Sequence, residues 1–308
     1  MHHADCIAKA FPAISASAPC DRRLRWISST QGDPDALEHL DRQMAQFYGE
    51  AAARSRYQEM LDSQEENQLA ADSIASRFLD EIAGSGARTV LEVGCGNGWL
   101  YRHLRAKGFS GTYHGVEVAQ YIIDRNSTRH PEGRWRRGTA YEIGLPDGST
   151  DVCFAFYVLE HMVYPERGLE EMLRVVRPGG SLLLVFPDFV ASGRLASQQT
   201  GFTLGRASEK LRKGRLFDAV VSLYDSRYRI PRHLQAARAR VGSFPVNTRP
   251  ICLTHRNVMS ADVDALYIAS KHEVVDWARN KGLRVEYPFG TEGEFNQHAA
   301  LRIVKAAS

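Results

Sequence analysis

The sequence predicts an α/β domain built on a doubly wound sheet, and three observations carry that expectation. Apolar, strand-like segments alternate with helical patterns from Thr89 to Phe186. A glycine cluster, Gly94-Cys95-Gly96-Asn97-Gly98, sits at the first junction from strand to helix. The nearly continuous apolar run Ser181-Leu182-Leu183-Leu184-Val185-Phe186 has the character of a strand covered on both faces, as in a parallel sheet between helical layers.

Taken in order, residues 1–35 are rich in Ala, Ser and Pro, show no helical or strand period and end in the turn-like Gln31-Gly32-Asp33-Pro34, so a loose arm is expected. Residues 36–85 read as N-terminal helices, with Leu69, Ile74, Phe78, Leu79 and Ile82 near one helical face and Gly84 and Gly86 ending the run. A core over 86–189 follows. It begins with the strand Thr89-Val90-Leu91-Glu92-Val93, a helix-compatible stretch to Lys107 and a second strand from Tyr113 to Val118. A strand from Val152 to Tyr157 comes next, then a helix whose Leu169, Met172, Leu173 and Val176 repeat at helical spacing until Pro178-Gly179-Gly180.

Residues 190–258 break this rhythm with basic helical pieces around Glu209 to Leu223 and prolines at 231, 245 and 250, and are read as an inserted cap. Residues 259–308 complete the sheet: Ser270-Lys271-His272-Glu273 has a capping-box pattern opening a helix that Gly282 ends, and 283–287 and 299–304 are the last strands.

Composition narrows the class of protein. With 44% hydrophobic and 24% charged residues the chain is ordinary for a globular fold. The longest apolar run, Val152 to Leu159, is far short of the ~20 residues a membrane helix needs, so no span is expected. The first twenty residues lack a basic start followed by an apolar stretch, from which a cytoplasmic location is expected. Five scattered cysteines without a Cys-x-x-Cys pair support neither a disulfide framework nor a structural metal. The net charge of +3 is uneven: residues 206–240 hold ten Lys or Arg against three acids, a local +7 that leaves the remainder at −4. Such asymmetry bears on partners rather than on fold.

The glycine cluster carries the most chemistry. A dinucleotide fingerprint needs a third glycine where Trp99 stands, and a phosphate-binding P-loop needs Gly-Lys-Ser/Thr where the chain has Gly98-Trp99-Leu100. Instead an acid, Glu92, stands two positions before the first glycine, and another, Glu117, ends the next strand. A carboxylate at the second place can accept ribose hydroxyls, and one at the first suits an ammonium and repels a pyrophosphate. A ribose joined to an amino acid describes S-adenosylmethionine.

On these residues the chain resembles the class I S-adenosylmethionine-dependent methyltransferases. Leu91-Glu92-Val93-Gly94-Cys95-Gly96-Asn97-Gly98 looks like their motif I and Gly115-Val116-Glu117-Val118 like their motif II. The stretch from Gly138 to Asp151, with Val158-Leu159-Glu160-His161 and Arg177-Pro178-Gly179-Gly180, is similar to the type 11 branch that includes ubiquinone and menaquinone methyltransferases. The resemblance implies a Rossmann-like seven-stranded sheet, mostly parallel with an antiparallel last strand, flanked by N-terminal helices and an inserted helical cap. It also implies that Glu92, Gly94, Cys95, Gly96, Asn97 and Gly98 line the methionine side of the cofactor, that Glu117 and Val118 hold the ribose and adenine, and that Thr139 and Ala140 flank the adenine. Phe156 should face the site, and Tyr48 or Tyr57 matches a tyrosine that the family places over the cofactor. Thr139 departs from the pattern, which usually has Asp there to bond the adenine amino group.

Methyl transfer from a sulfonium is an in-line displacement that asks the protein chiefly to position a nucleophile. Where the acceptor is a hydroxyl, a base helps, and His161, after the strand Val152–Tyr157, is the expected catalytic residue, with Tyr157 and His255 as weaker options. Arg227, Arg229 and Arg232 of the cap, with His255, are candidates for holding an anionic acceptor. The expected function is methylation of a small molecule enclosed by the cap. Methylation of RNA or a peptide through the basic cap, and cofactor binding without turnover, are the alternatives.

Overall fold

A computed structural model of the protein describes residues 26–49, 58–59, 61–62, 69–193, 207–254 and 263–307. In chain order the elements are β1 (Trp26–Ser28), α1 (Pro34–Gly49), α2 (Ile74–Ala83), β2 (Thr89–Val93), α3 (Trp99–Ala106), β3 (Thr112–Glu117), α4 (Gln120–Arg129), β4 (Arg134–Arg137) and β5 (Thr150–Phe156). After a 3-10 turn at Leu159–His161 come α5 (Pro165–Val175), β6 (Val176–Pro187), α6 (Phe189–Ser192), α7 (Ala207–Arg212) and α8 (Leu216–Tyr224). A π turn at Asp225–Arg229 joins α8 to α9 (Ile230–Val241), followed by β7 (Pro245–Asn247), α10 (Ile251–Thr254), α11 (Lys271–Asn280), β8 (Arg284–Glu286) and β9 (His298–Val304).

Seven strands form one sheet in the order β4-β3-β2-β5-β6-β9-β8. β4, β3, β2, β5 and β6 run parallel, and β9 is antiparallel to both β6 and β8. The chain winds one way from β2 through β3 to β4 and then crosses back to β5, so the carboxyl ends of β2 and β5 form the switch point where such sheets bind ligands.

Period-two alternation sorts the strand side chains onto two helical layers. Leu91, Val93, Cys153, Ala155, Leu182, Leu184, Leu301 and Ile303 face a core shared with α1, α5, α9 and α11. Val90, Tyr113, Val152, Phe154, Leu183 and Val185 face Ile74, Phe78, Leu79 and Ile82 of α2 and Leu100, Tyr101 and Leu104 of α3. Each large apolar side chain taken out of water contributes about 1.5–3 kcal/mol, which is why β6, apolar on both faces, occupies an interior place in the sheet.

Several elements differ from the sequence expectation. The last ten residues of the supposed loose arm are ordered: Trp26–Ser28 pairs antiparallel with β7 and Trp26 is buried. The helical run to Ala83 is interrupted, since α2 starts only at Ile74, where the Ser73 hydroxyl accepts the Ser76 amide at 3.1 Å, and Leu69 lies before it. Ser270 stands at the start of α11 but its side chain makes no capping bond. The expected capping partner, Glu273, instead accepts the Phe244 amide at 3.0 Å and the Tyr267 hydroxyl at 2.6 Å. The cap is not packed as a separate lobe either: Ile230, Leu234, Ala237, Phe244, Val246 and Cys252 share one core with α1 and the sheet.

Candidate functional site

β2 ends at the switch point, and the glycine turn that follows is bound to the neighbouring strand. The amides of Gly94 and Cys95 both donate to the Val116 carbonyl, at 2.8 and 3.1 Å. Gly94, Gly96 and Gly98 have φ of +72°, +48° and +73°, a left-handed conformation that costs a residue with a Cβ. Space matters as well. A Cβ on Gly94 would stand 2.6 Å from a methyl of Val158, and one on Gly96 would stand 3.3 Å from Cδ2 of Leu61.

Glu117 reaches across to this turn. Its Oε2 accepts the Gly96 amide at 3.1 Å, while Oε1 accepts the amides of Val118 at 2.9 Å and Ala119 at 3.4 Å. Burial raises its pKa, and the three backbone donors work against that rise by favouring the carboxylate. An ionised carboxylate offers about four acceptor positions, so one remains for a ribose hydroxyl beyond the three backbone bonds. Glu92, buried on the other side of the turn, accepts the hydroxyl of Tyr113. Burial pushes its pKa up to about 8, Tyr113 lowers it and the charge of Glu117 raises it further. A cation placed here would recover the cost of ionising Glu92.

The other expected cofactor residues divide by what their side chains do. Asn97 is buried, donates to the Leu61 carbonyl at 2.7 Å and accepts the Trp99 amide at 3.1 Å, so its side chain is engaged in holding the turn. Cys95 is buried and desolvation holds its thiol protonated. Asn126 of α4 donates to the Gly96 carbonyl at 2.7 Å, a support the sequence reading missed because asparagine in a helix carries no periodic signal. Val118 is partly exposed at the end of β3. The Thr139 hydroxyl accepts the Tyr141 amide at 3.2 Å, a local turn bond, and the Tyr141 hydroxyl accepts the amides of Val163 and Tyr164 at 2.9 and 3.1 Å. Through Tyr141 the Thr139-Ala140 segment is held beside the start of α5. Phe156, at the carboxyl end of β5, lies tilted against Phe78 at 5.3 Å and meets Tyr157 edge-on at 4.8 Å. Tyr57 lies outside the described residues, whereas Tyr48 is directed to Asp264 instead, at 2.6 Å from Oδ2.

Beyond β5 the edge of the site is strained. Tyr157 has φ of +56°, the kind of backbone cost that persists only where the surroundings fix it, and its hydroxyl meets Nδ1 of His298 at 3.1 Å. Val158 packs on Gly94, and three residues later the His161 ring lies between two acids: Nδ1 is 3.4 Å from Oδ1 of Asp264, and Nε2 is 3.8 Å from Oε1 of the buried Glu160. Asp264 was missed in the sequence because nothing about a lone aspartate in an irregular stretch marks it as a neighbour of a histidine 103 positions earlier.

The cap candidates do not converge. Arg227 and Arg232 are exposed, Arg229 turns back to the buried Asp225 at 3.4 Å, and His255 lies outside the described residues.

The turn and its two acids fit an S-adenosylmethionine-type ligand on the chemistry of the donor set. The turn is confined to glycine at Gly94 and Gly96, a buried carboxylate stands at the end of β3, and a second carboxylate is poised for a cation. Comparison with known proteins agrees. Residues 91–184 match the family model described as a methyltransferase domain. An uncharacterized methyltransferase of Mycobacterium sp. (strain KMS) is 36% identical over 118 residues, covering 38% of this chain and 45% of that protein. A "Probable S-adenosylmethionine-dependent methyltransferase" of Mycolicibacterium smegmatis is 34% identical over 115 residues, covering 37% and 43% respectively. The chain thus spans less than half the length of these curated relatives. A solved S-adenosylmethionine-dependent methyltransferase of Mesorhizobium loti aligns with 77% of this chain and 100% of its own, at 13% identity and a TM-score of 0.48. Residues 91–184 are thus similar to a methyltransferase domain, and the relatives that match over this stretch are described as methyltransferases.

Proposed function

We propose that the chain transfers a methyl group from S-adenosylmethionine to a small-molecule acceptor. The observation that carries this reading is the Glu117 carboxylate bound to the Gly96 amide, which joins a ribose-binding acid to a turn open only to a backbone of glycines. When bound, the cofactor supplies an activated methyl carbon on a sulfonium. The protein's own residues do the rest. Glu117 accepts a ribose hydroxyl, Glu92 faces the ammonium end, and the glycine turn lets backbone amides approach closely. Phe156 and Tyr157 wall the carboxyl edge of β5, where an acceptor would be held in line. His161 takes up the acceptor's proton when the acceptor is a hydroxyl, with Asp264 facing Nδ1 to orient the ring.

The outward Arg227 and Arg232 favour a second reading, in which the acceptor is RNA or a peptide held on the basic cap. A methyl-transfer assay with labelled cofactor separates the two. Transfer to small acceptors with a weak response to salt supports the first. Transfer to RNA or an acidic peptide, with affinity falling steeply as salt rises, replaces it with the second. Tight cofactor binding without transfer to any acceptor class would leave a binding module.

A further inference from the structure

The stretch from α7 through α8 and the π turn is amphipathic in the reverse sense to a helix on a water-facing surface. Apart from Ala219, its inward side is polar: Lys210, Ser222, Asp225 and Ser226 are all buried. These groups are satisfied where they lie. Lys210 Nζ donates to the Ser222 hydroxyl at 2.5 Å, and Arg229 pairs with Asp225. Its outward side is apolar: Phe217 is 79% exposed, Leu216 65%, Tyr224 and Tyr228 57% each and Val220 55%, with Leu223 also exposed. Turning the helix over is not an escape, because that would bury apolar groups at the cost of exposing a paired interior. Contiguous apolar surface of this kind marks an interaction site.

The charge at the two ends of this face identifies the occupant. Arg212 and Lys213 precede the apolar stripe and are exposed, and the exposed Arg227 and Arg232 follow it, within a segment of net +7. A second copy meeting this face about a twofold axis would set positive ends against positive ends. A nucleic acid would meet the arginines but leave Leu216, Val220 and Leu223 against its phosphates. An anionic bilayer offers hydrocarbon to the stripe, diffuse negative charge to the ends, and an interface for tyrosines of the sort seen in Tyr224 and Tyr228, whose rings stack at 5.9 Å. No helix among the described residues is long and apolar enough to cross a membrane, so the contact is with the surface.

We propose that the outer face of α8, with the basic residues at its two ends, docks the enzyme onto an anionic lipid bilayer. The docking itself does not depend on the methyl-transfer reading.

The test is sedimentation of the full chain with phosphatidylcholine vesicles containing phosphatidylglycerol, and with pure phosphatidylcholine vesicles. Binding to the first and much weaker binding to the second is expected. Phe217→Ser with Leu223→Ser should abolish it. Arg227→Gln and Arg232→Gln should each weaken it roughly fivefold, the contribution of one basic residue near an anionic surface. All substitutions are at exposed positions, and an unchanged circular dichroism spectrum and Tm confirm that each variant is folded. Equal binding to both vesicle types, or none to either, overturns the proposal. So does a dimer in solution that Phe217→Ser dissociates, or RNA binding that the arginine variants lose while vesicles are ignored.

Discussion

The amide of Gly96 donates to Glu117 Oε2 at 3.1 Å, so the middle of the glycine turn and the acid at the end of β3 form one unit. Replacing Glu117 releases the turn and, on the proposed reading, removes a ribose acceptor at once. Glu117→Ala should weaken S-adenosylmethionine binding by at least about 1.5–3 kcal/mol, the worth of one hydrogen bond to a charged group. Titration calorimetry measures it. A dissociation constant equal to that of the parent chain would place the ribose elsewhere.

Gly96→Val tests the turn directly. The valine Cβ would sit at φ of +48° and 3.3 Å from Leu61, in a conformation that β-branched residues avoid. Cofactor binding should disappear while far-ultraviolet circular dichroism remains that of a folded chain, because the sheet is held by cores on both faces. Retained binding in a folded variant would remove the turn from the site.

Glu92 should make cofactor affinity depend on pH. Its carboxyl is pushed up to about 8 by burial, so at neutral pH it is largely protonated without ligand, and a bound ammonium favours its ionised form. Affinity should therefore rise with pH between about 6 and 8, with a proton released on binding. The cofactor-free stability should run the other way. An acid whose pKa is raised on folding contributes stability below its unfolded value, and that contribution is lost as pH rises through about 8. Glu92→Gln should flatten both trends. Calorimetry in buffers of different ionisation enthalpy counts the proton, and a count near zero in the parent chain would show that Glu92 does not titrate with binding.

The sheet was legible in the sequence where burial leaves a pattern and hidden where it does not. β6 shows itself because Leu182 to Phe186 are apolar on both sides, and β2 because Val90 and Leu91 lead into glycines. β4 escaped because Arg134-Trp135-Arg136-Arg137 lies at an edge, where charged residues face water and erase the two-residue period. β1 and β7 escaped because each is three residues long and lies in a stretch without a period of its own, the supposed arm and the proline-punctuated cap. At the site, the acids and glycines announced themselves by spacing to neighbours in the chain. The Asp264–His161 and Glu273–Tyr267 contacts could not, since they depend on how an irregular segment folds against the start of α11. The inversion of α8 was hidden because the buried Ser222, and Asp225 just beyond the helix, look like an ordinary solvated side in the sequence.

The relation between His161 and Asp264 decides whether the transfer uses a base. If His161 accepts the acceptor's proton, His161→Ala should lower kcat by about 10²–10⁴, the usual share of a positioned base, and leave the dissociation constant of S-adenosylmethionine unchanged. Asp264 acts through the ring, 3.4 Å from Nδ1, and also receives the Tyr48 hydroxyl at 2.6 Å. Asp264→Asn should thus lower kcat, but less than His161→Ala does. Tyr48→Phe removes a donor to Asp264 without changing its charge, so its effect should be smaller still. A purely structural role predicts another pattern: reduced Tm in all three variants, with kcat unmoved once the chain is folded. That outcome would leave methyl transfer to positioning alone, with His161 as a tie between the turn after β5 and the segment returning from the cap.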